Sequence, residues 1–231
     1  MTLGFDSPSS SISMSEADNW RQKVVDTFAV LKEAPYGAVT IDRKHAGLPV
    51  ILRPVTADSI QTDEIIELLY RWRRENIHSF LKIFEPTFEG TRLWADRLLI
   101  QREDRMLFLV ENGSGRQAGH VGLSTFDYNA GTCEIDNIVR GDRDAAPGII
   151  QAAIHALLDW TYENLAPREI QLRTLNDNVK ALALYHRLGF VPFRMEPLCR
   201  TEIDGVLEWV PTDCSDARID RFYLAMKHVR A

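Results

Sequence analysis

The stretch from residue 132 to residue 175 constrains the fold more than any other. TCEIDNIVR (132–140) reads as a strand, IIQAAIHALLDW (149–160) carries the apolar pattern of a packed helix, and REIQLRTL (168–175) reads as a strand again. Before this unit, RMLFLVEN (105–112) and HVGLSTFDY (120–128) flank a Gly-rich turn and make a meander of strands. After it come a short helix, NVKALALYHRLG, and a strand, FVPFRMEPL; GVLEWVPT is a further strand or an insertion, and RFYLAMKH closes the chain. Strands first and a β-α-β-α pattern afterwards imply a mixed sheet with helices on its faces, an α/β fold.

The N-terminal part adds helices. Glu16 to Lys32 has Ser15 as a cap and Trp20, Val24, Val25, Phe28 and Leu31 on one face. AVTIDRKHAGLPVILRPV reads as two strands about a Gly-containing turn. Ala57–Arg74 and Glu89–Gln101 read as helices joined by IHSFLKIFEP. The chain thus divides into a loose Ser-rich tail (1–15), an N-terminal helical extension (16–48) and a main domain (49–231).

Composition narrows the function. The 231 residues are 45% hydrophobic and 26% charged, as in soluble globular proteins. A net charge of −6 without a basic run argues against a nucleic-acid partner. No segment reaches the roughly 18 to 20 apolar residues of a membrane span, and the N-terminus lacks the pattern of a signal peptide. Cys133, Cys199 and Cys214 are too few and too scattered for a disulfide framework or a zinc site. The expected setting is the cytoplasm, with no metal and no membrane.

Three short segments carry chemistry. Period two on TCEIDNIVR puts Glu134, Asp136 and Ile138 on one face and Ile135, Asn137 and Val139 on the other. Two acids on one face of a central strand either face solvent, pair with arginines, or act as a base at the floor of a cleft. The following RDAAPG (143–148) lacks an ordinary helix cap: either its small residues leave first-turn N–H groups bare for an anion, with Arg140 and Arg143 beside them, or it is a plain loop-to-helix junction with solvated arginines. Pro147 fits a first-turn position but can donate nothing. Third, Asn178, Ala181, Leu184, Tyr185, Gly189 and Phe190 form N-x-x-A-x-x-L-Y-x-x-x-G-F. Its tyrosine is either a core residue or a proton donor facing a cleft.

In this order the segments resemble the GNAT acyltransferase superfamily, over about residues 50 to 228. The family loop Q/R-x-x-G-x-G/A is matched by Arg143, Ala146 and Gly148, with Ala in place of the first Gly. The resemblance implies a GNAT-type, mostly antiparallel twisted sheet flanked by helices on both faces, with the N-terminal helix as an addition. It implies acetyl-CoA or another short acyl-CoA as co-substrate. The backbone at Ile138 and Val139 would meet the pantetheine arm, the loop from Arg143 to Ile149 the pyrophosphate, and Asn178 the CoA arm. Tyr185 would protonate the leaving thiolate, and Glu134 or Asp136 would serve as base, with His120 as a third option.

The acceptor is expected to be a small-molecule amine, held by residues 58–101 and 196–220. Arg74, Asn76, His78 and Trp94 are the candidate acceptor residues, in a run that also holds Trp72, Arg73 and Phe80. The R-x-x-N layout is similar to GNAT members that acylate nucleotide-linked amino sugars. Two further readings stand beside it: the same chemistry on a small amine, amino acid or protein amine, and a non-catalytic CoA-binding module. The N-terminal helix would either cover the acceptor cleft or mediate a homodimer.

Overall fold

The computed structural model describes residues 15–203, 205–212 and 219–230. The expected tail at 1–14 and Cys214 lie outside the described residues. Helix α1 (Glu16–Glu33) starts at a capping box: the Ser15 hydroxyl accepts from Asp18 N, and the Asp18 carboxylate accepts from Ser15 N. Strands β1 (Ile41–His45) and β2 (Leu48–Pro54) form a hairpin whose two turn residues, Ala46 and Gly47, both have positive φ, as a tight two-residue turn requires.

The segment expected as one helix from Ala57 to Arg74 is broken. The hydroxyls of Thr56 and Ser59 bond each other's backbone amides and close a local turn. A 3-10 turn (Ser59–Gln61) follows, Thr62 is extended, and α2 (Asp63–Glu75) begins only there. The connector IHSFLKIFEP holds a second 3-10 turn (Ile77–Ser79) and a two-residue strand, β3 (Lys82–Ile83). Helix α3 (Phe88–Ala95), capped by Thr87, widens into a π-helical turn over Asp96–Ile100.

The rest follows the expected order: β4 (Met106–Asn112), β5 (Gln117–Asp127), β6 (Thr132–Arg140), α4 (Ile149–Asn164), β7 (Glu169–Leu175) and α5 (Val179–Arg187). Then come β8 (Phe190–Ile203), β9 (Val206–Pro211) and β10 (Arg221–His228). The ten strands form one sheet in the order β1-β2-β4-β5-β6-β7-β10-β8-β9-β3. Every neighbouring pair is antiparallel except β6 with β7, which α4 joins as a crossover.

Helices cover both faces. On one, Val24, Phe28 and Leu31 of α1 pack with the apolar side of α4, with Tyr185 and Leu188 near α5, and with Met106, Phe108 and Val110 of β4. On the other, Ile66, Leu69 and Trp72 of α2 and Ala95 of α3 meet Leu107 and Leu109, the alternate residues of the same strand. Helix α1 therefore belongs to the α4 layer and seals the core there. Among the described residues no helix is long and apolar enough to cross a membrane.

Candidate active site

The site is made by a parallel pair that stops early. Strands β6 and β7 pair only from Thr132↔Glu169 to Glu134↔Gln171. Beyond Glu134, β7 keeps pairing with β10 on its far side, while β6 has only β5. The two strands enclose a wedge, and β6 presents unpaired backbone groups along one side of it.

Strand β6 is also bulged. Asn137 has φ 48°, and the register with β5 shifts between His120↔Val139 and Gly122↔Asp136, so one residue is extra on β6. This corrects the strict alternation expected for TCEIDNIVR. Cys133, Ile135 and, past the bulge, Ile138 pack toward the α4 layer, whereas Val139 joins the cluster around Trp72. Ile138 is thus separated from the face of Glu134 and Asp136, although all of them line the wedge.

A cavity of 1080 Å³ fills the wedge and extends beneath α2 and α3. At one end lies the loop before α4. Gly148, at φ 85°, sets the turn into the helix. The amides of Ala146, Gly148, Ile150 and Gln151 have no hydrogen-bond partner among the described residues, and all four residues line the cavity. Arg140 keeps the loop in this shape from outside. Its guanidinium donates to the carbonyls of Asp142 (3.3 Å), Arg143 (3.0 Å) and Ala145 (2.9 Å). With the carbonyls tied back, bare N–H groups and the positive helix end face the cavity, a fit for a pyrophosphate. Arg143 and Pro147 are exposed and not among the lining residues; Arg140 and Ile149 are.

Helix α5 closes the other side. Its cap, Asn178, accepts from Ala181 N at 3.3 Å and lines the cavity with its remaining donors free. Tyr185 is 6% exposed, and its phenol packs at 6.3 Å from the Phe190 ring. Burial pushes its hydroxyl well above the usual phenol value, with a smaller contribution from neighbouring Tyr223. At neutral pH it keeps its proton. Tyr223, on the last strand, also lines the cavity; nothing in RFYLAMKH singled it out, because its place depends on β10 lying between β7 and β8.

Both acids of β6 line the cavity, and both have arginine partners. Arg173 donates to Glu134 at 3.0 Å, and Arg105 stands 3.4 Å from Asp136, which also accepts from the Ser124 hydroxyl at 2.7 Å. Burial raises the pKa of each, and the facing arginine opposes the shift. Asp136 Oδ1 is enclosed without a partner. Gly122 makes room for it, since a Cβ there would stand 2.8 Å from that oxygen. His120 is 1% exposed; its Nδ1 lies 2.6 Å from the Asn137 carbonyl at the bulge, while Nε2 is buried without a partner. Burial drops its pKa to about 4, so it is neutral at physiological pH, with Nδ1 carrying the proton.

Of the four acceptor residues expected from sequence, Asn76 and Trp94 line the cavity, and Arg74 and His78 do not. Both are exposed; the Arg74 guanidinium rests 5.4 Å from the Tyr70 ring. The neighbouring arginine takes the inward place: Arg73 stacks 4.4 Å over Trp94 and lines the cavity. The burial of Trp72 fixes the rotation of α2, and that rotation turns Arg73 inward and Arg74 outward. No residue of α1 lines the cavity. Among the described residues no cluster of His, Cys, Asp and Glu is arranged to hold a metal ion.

Solved structures share this architecture. A probable acetyltransferase of the GNAT family from Chromobacterium violaceum superposes with a TM-score of 0.61 at 16% identity, covering 99% of this chain and 96% of that one. Spermidine N-acetyltransferase from Vibrio cholerae, solved with CoA and spermine, gives 0.57 at 18% identity, over 77% of this chain and 94% of that one. The same enzyme in a dodecameric form gives 0.55 at 19% identity, over 77% and 92%. These identities establish a common fold. No curated protein matches in sequence. Residues 50–191, however, match the acetyltransferase (GNAT) domain, a span that runs from β2 through α5 and takes in the wedge, the loop before α4 and Tyr185; the chain belongs to the GNAT acetyltransferase family.

Proposed function

We propose that the protein transfers an acetyl or another short acyl group from acyl-CoA to the primary amine of a small acceptor. The observation that carries this reading is the continuity of one cavity, from the bare amides before α4, past the unpaired edge of β6, to Tyr185 and the pocket under α2 and α3. Acyl-CoA would supply the thioester. Ala146, Gly148, Ile150 and Gln151 are suited to its pyrophosphate, Ile138 and Val139 to its pantetheine arm, and Asn178 to the same arm from the opposite wall.

The amine nitrogen attacks the thioester carbon, forming an N–C bond as the C–S bond breaks. Unpaired N–H groups of β6 near the bulge polarise the carbonyl. A carboxylate of the β6 floor, Glu134 or Asp136, takes the ammonium proton, directly or through water, and its raised pKa suits the task. The Tyr185 hydroxyl gives its proton to the departing sulfur, and the second proton that the nitrogen sheds as the amide forms restores it through water. Holding both reactants in one wedge contributes a large share of the rate.

An amino-sugar acceptor gains no support: two of the four residues expected to grip it lie outside the cavity, and the polyamine enzymes among the structural neighbours are named for simple amines. A small amine is the better fit. In the test, Tyr185→Phe is expected to lower kcat about 100-fold or more with acetyl-CoA affinity by calorimetry nearly unchanged. Glu134→Gln and Asp136→Asn, measured alongside, should identify the base as the variant that loses rate and the acid limb of the pH profile. Wild-type turnover in Tyr185→Phe would remove the tyrosine from the mechanism, and full rate in both amides would place the base elsewhere.

A further inference from the structure

The half of the cavity beneath α2 and α3 carries one charge that nothing among the described residues balances. Its lining holds three carboxylates, and each has its own cation: Glu134 meets Arg173 at 3.0 Å, Asp136 meets Arg105 at 3.4 Å, and Glu208 meets Lys82 at 3.7 Å. Arg73 is the fourth cation, and among the described residues no carboxylate reaches it. Among the described residues its one hydrogen bond, to Thr91 Oγ1, is long at 3.4 Å, which leaves most of the five guanidinium donors unused there.

Packing alone is a poor account of this residue. The ring faces of Trp94, at 4.4 Å, and Phe84, at 5.3 Å, hold the guanidinium in place. Such stacking is worth about 0.5 to 2 kcal/mol and occupies the face of the group, not its donor edge. Burial works against the charge and lowers its pKa to about 10, yet it stays charged at neutral pH. A desolvated guanidinium with a free donor edge is built to receive a planar or tetrahedral anion. Its position is also defined. Arg73 lines the same cavity as His120 and Asn137, and the His120 ring bonds the Asn137 carbonyl at the bulge. The neighbouring Trp72 ring lies 5.9 Å from His120, so this turn of α2 faces the bulge, where β6 would hold the acyl group.

We propose that the acceptor amine bears an anionic group, a carboxylate or a phosphate, a few bonds from its nitrogen, and that the donor edge of Arg73 binds that group. This rests on the acyl-transfer reading given above. It separates the chain from its polyamine-named neighbours: every carboxylate lining this half is already paired, and the second ammonium of a polyamine would meet a like charge.

The test compares kcat/KM, with acetyl-CoA, for glycine and β-alanine, their amides, aminoethyl phosphate and spermidine, in wild type, Arg73→Met and Arg73→Lys. Anionic acceptors should exceed their uncharged counterparts by roughly 10- to 100-fold, the range of one charged hydrogen-bonding pair. Arg73→Met should collapse that ratio through KM, and Arg73→Lys should restore part of it. The carboxylate and phosphate arms identify which anion fits. Acetyl-CoA affinity and the melting temperature serve as folding controls. Preference for spermidine or the amides, or an undiminished ratio in Arg73→Met, overturns the proposal while acyl transfer stands. A separate binding arm titrates N-acetylglycine and N-acetylaminoethyl phosphate into the CoA-loaded proteins by calorimetry. At least one of the two should bind wild type at least tenfold more tightly than Arg73→Met. If no amine is acetylated, the acyl-transfer reading fails; this binding difference then decides the anion subsite on its own, and equal binding overturns it.

Discussion

At the scale of single residues, burial sets the chemistry of the site. His120 shows this most simply: it is enclosed between β5 and the Trp72 side of the core, and its pKa falls to about 4. The unfolded chain carries an imidazole near 6.5, so on acidification the unfolded state takes up the proton first. Stability is fully present above that value and is lost as pH falls toward about 4, by roughly 2 kcal/mol at pH 5. The carboxyls of Glu134 and Asp136 are raised by burial and oppose this trend. The measurement is therefore a difference. Urea unfolding of wild type and His120→Gln at pH 7.5 and pH 5 should show a smaller acid loss in the variant, and equal losses would mean that His120 does not titrate as described. The sequence made Tyr185, Asn178 and the two acids visible because their spacing is local. Arg73 was legible only as part of a cationic and aromatic run. A shift of one residue in helix phase exchanges Arg73 for Arg74, and the packing of Ile66, Leu69 and Trp72 sets that phase.

At the scale of elements, the signals that survived were those written within one segment. The Ser15 cap, the Ala46–Gly47 turn and the end of α5 just before Gly189, which has φ 84°, each follow from a few adjacent residues. The bulge at Asn137 did not, because its positive φ is set by the register β6 must keep with β5. The break at Thr62 was hidden in a similar way by the apolar pattern on either side of it. The loop before α4 combines both kinds of information. Its small residues were legible, while the restraint of its carbonyls by Arg140 required the fold. Gly148 has φ 85°, and a Cβ there would meet nothing within 4 Å, so an Ala substitution strains only the backbone. Gly148→Ala should cost roughly 1 to 2 kcal/mol and weaken acetyl-CoA binding about tenfold by tilting the bare amides. Pro147→Ala should leave affinity unchanged, since Pro147 is exposed and outside the cavity lining. Calorimetry on both variants checks the contrast, and equal effects would mean that the loop does not bind through its Gly148 turn.

At the scale of the whole molecule, one sheet holds two layers apart, and the candidate site lies in the gap where the parallel pair of β6 and β7 ends. The N-terminal helix was legible, but its place was not, because its apolar face suits either layer or a second subunit. It packs with α4, where Val24 and Phe28 are fully buried and Leu31 nearly so. We propose that residues 16–48 are integral to the main domain. Burying three such side chains contributes roughly 5 kcal/mol or more. Deleting residues 1–33 should lower the melting temperature by roughly 10 to 20 °C or leave the protein insoluble, and a melt within a few degrees of wild type would show an independent appendage. The most direct test of the account as a whole is thiol release from acetyl-CoA by the purified full chain with and without small primary amines. The account predicts CoA release that depends on the amine and matches N-acetylated product one for one; acetyl-CoA binding without amine-dependent release, whatever the amine, would contradict it.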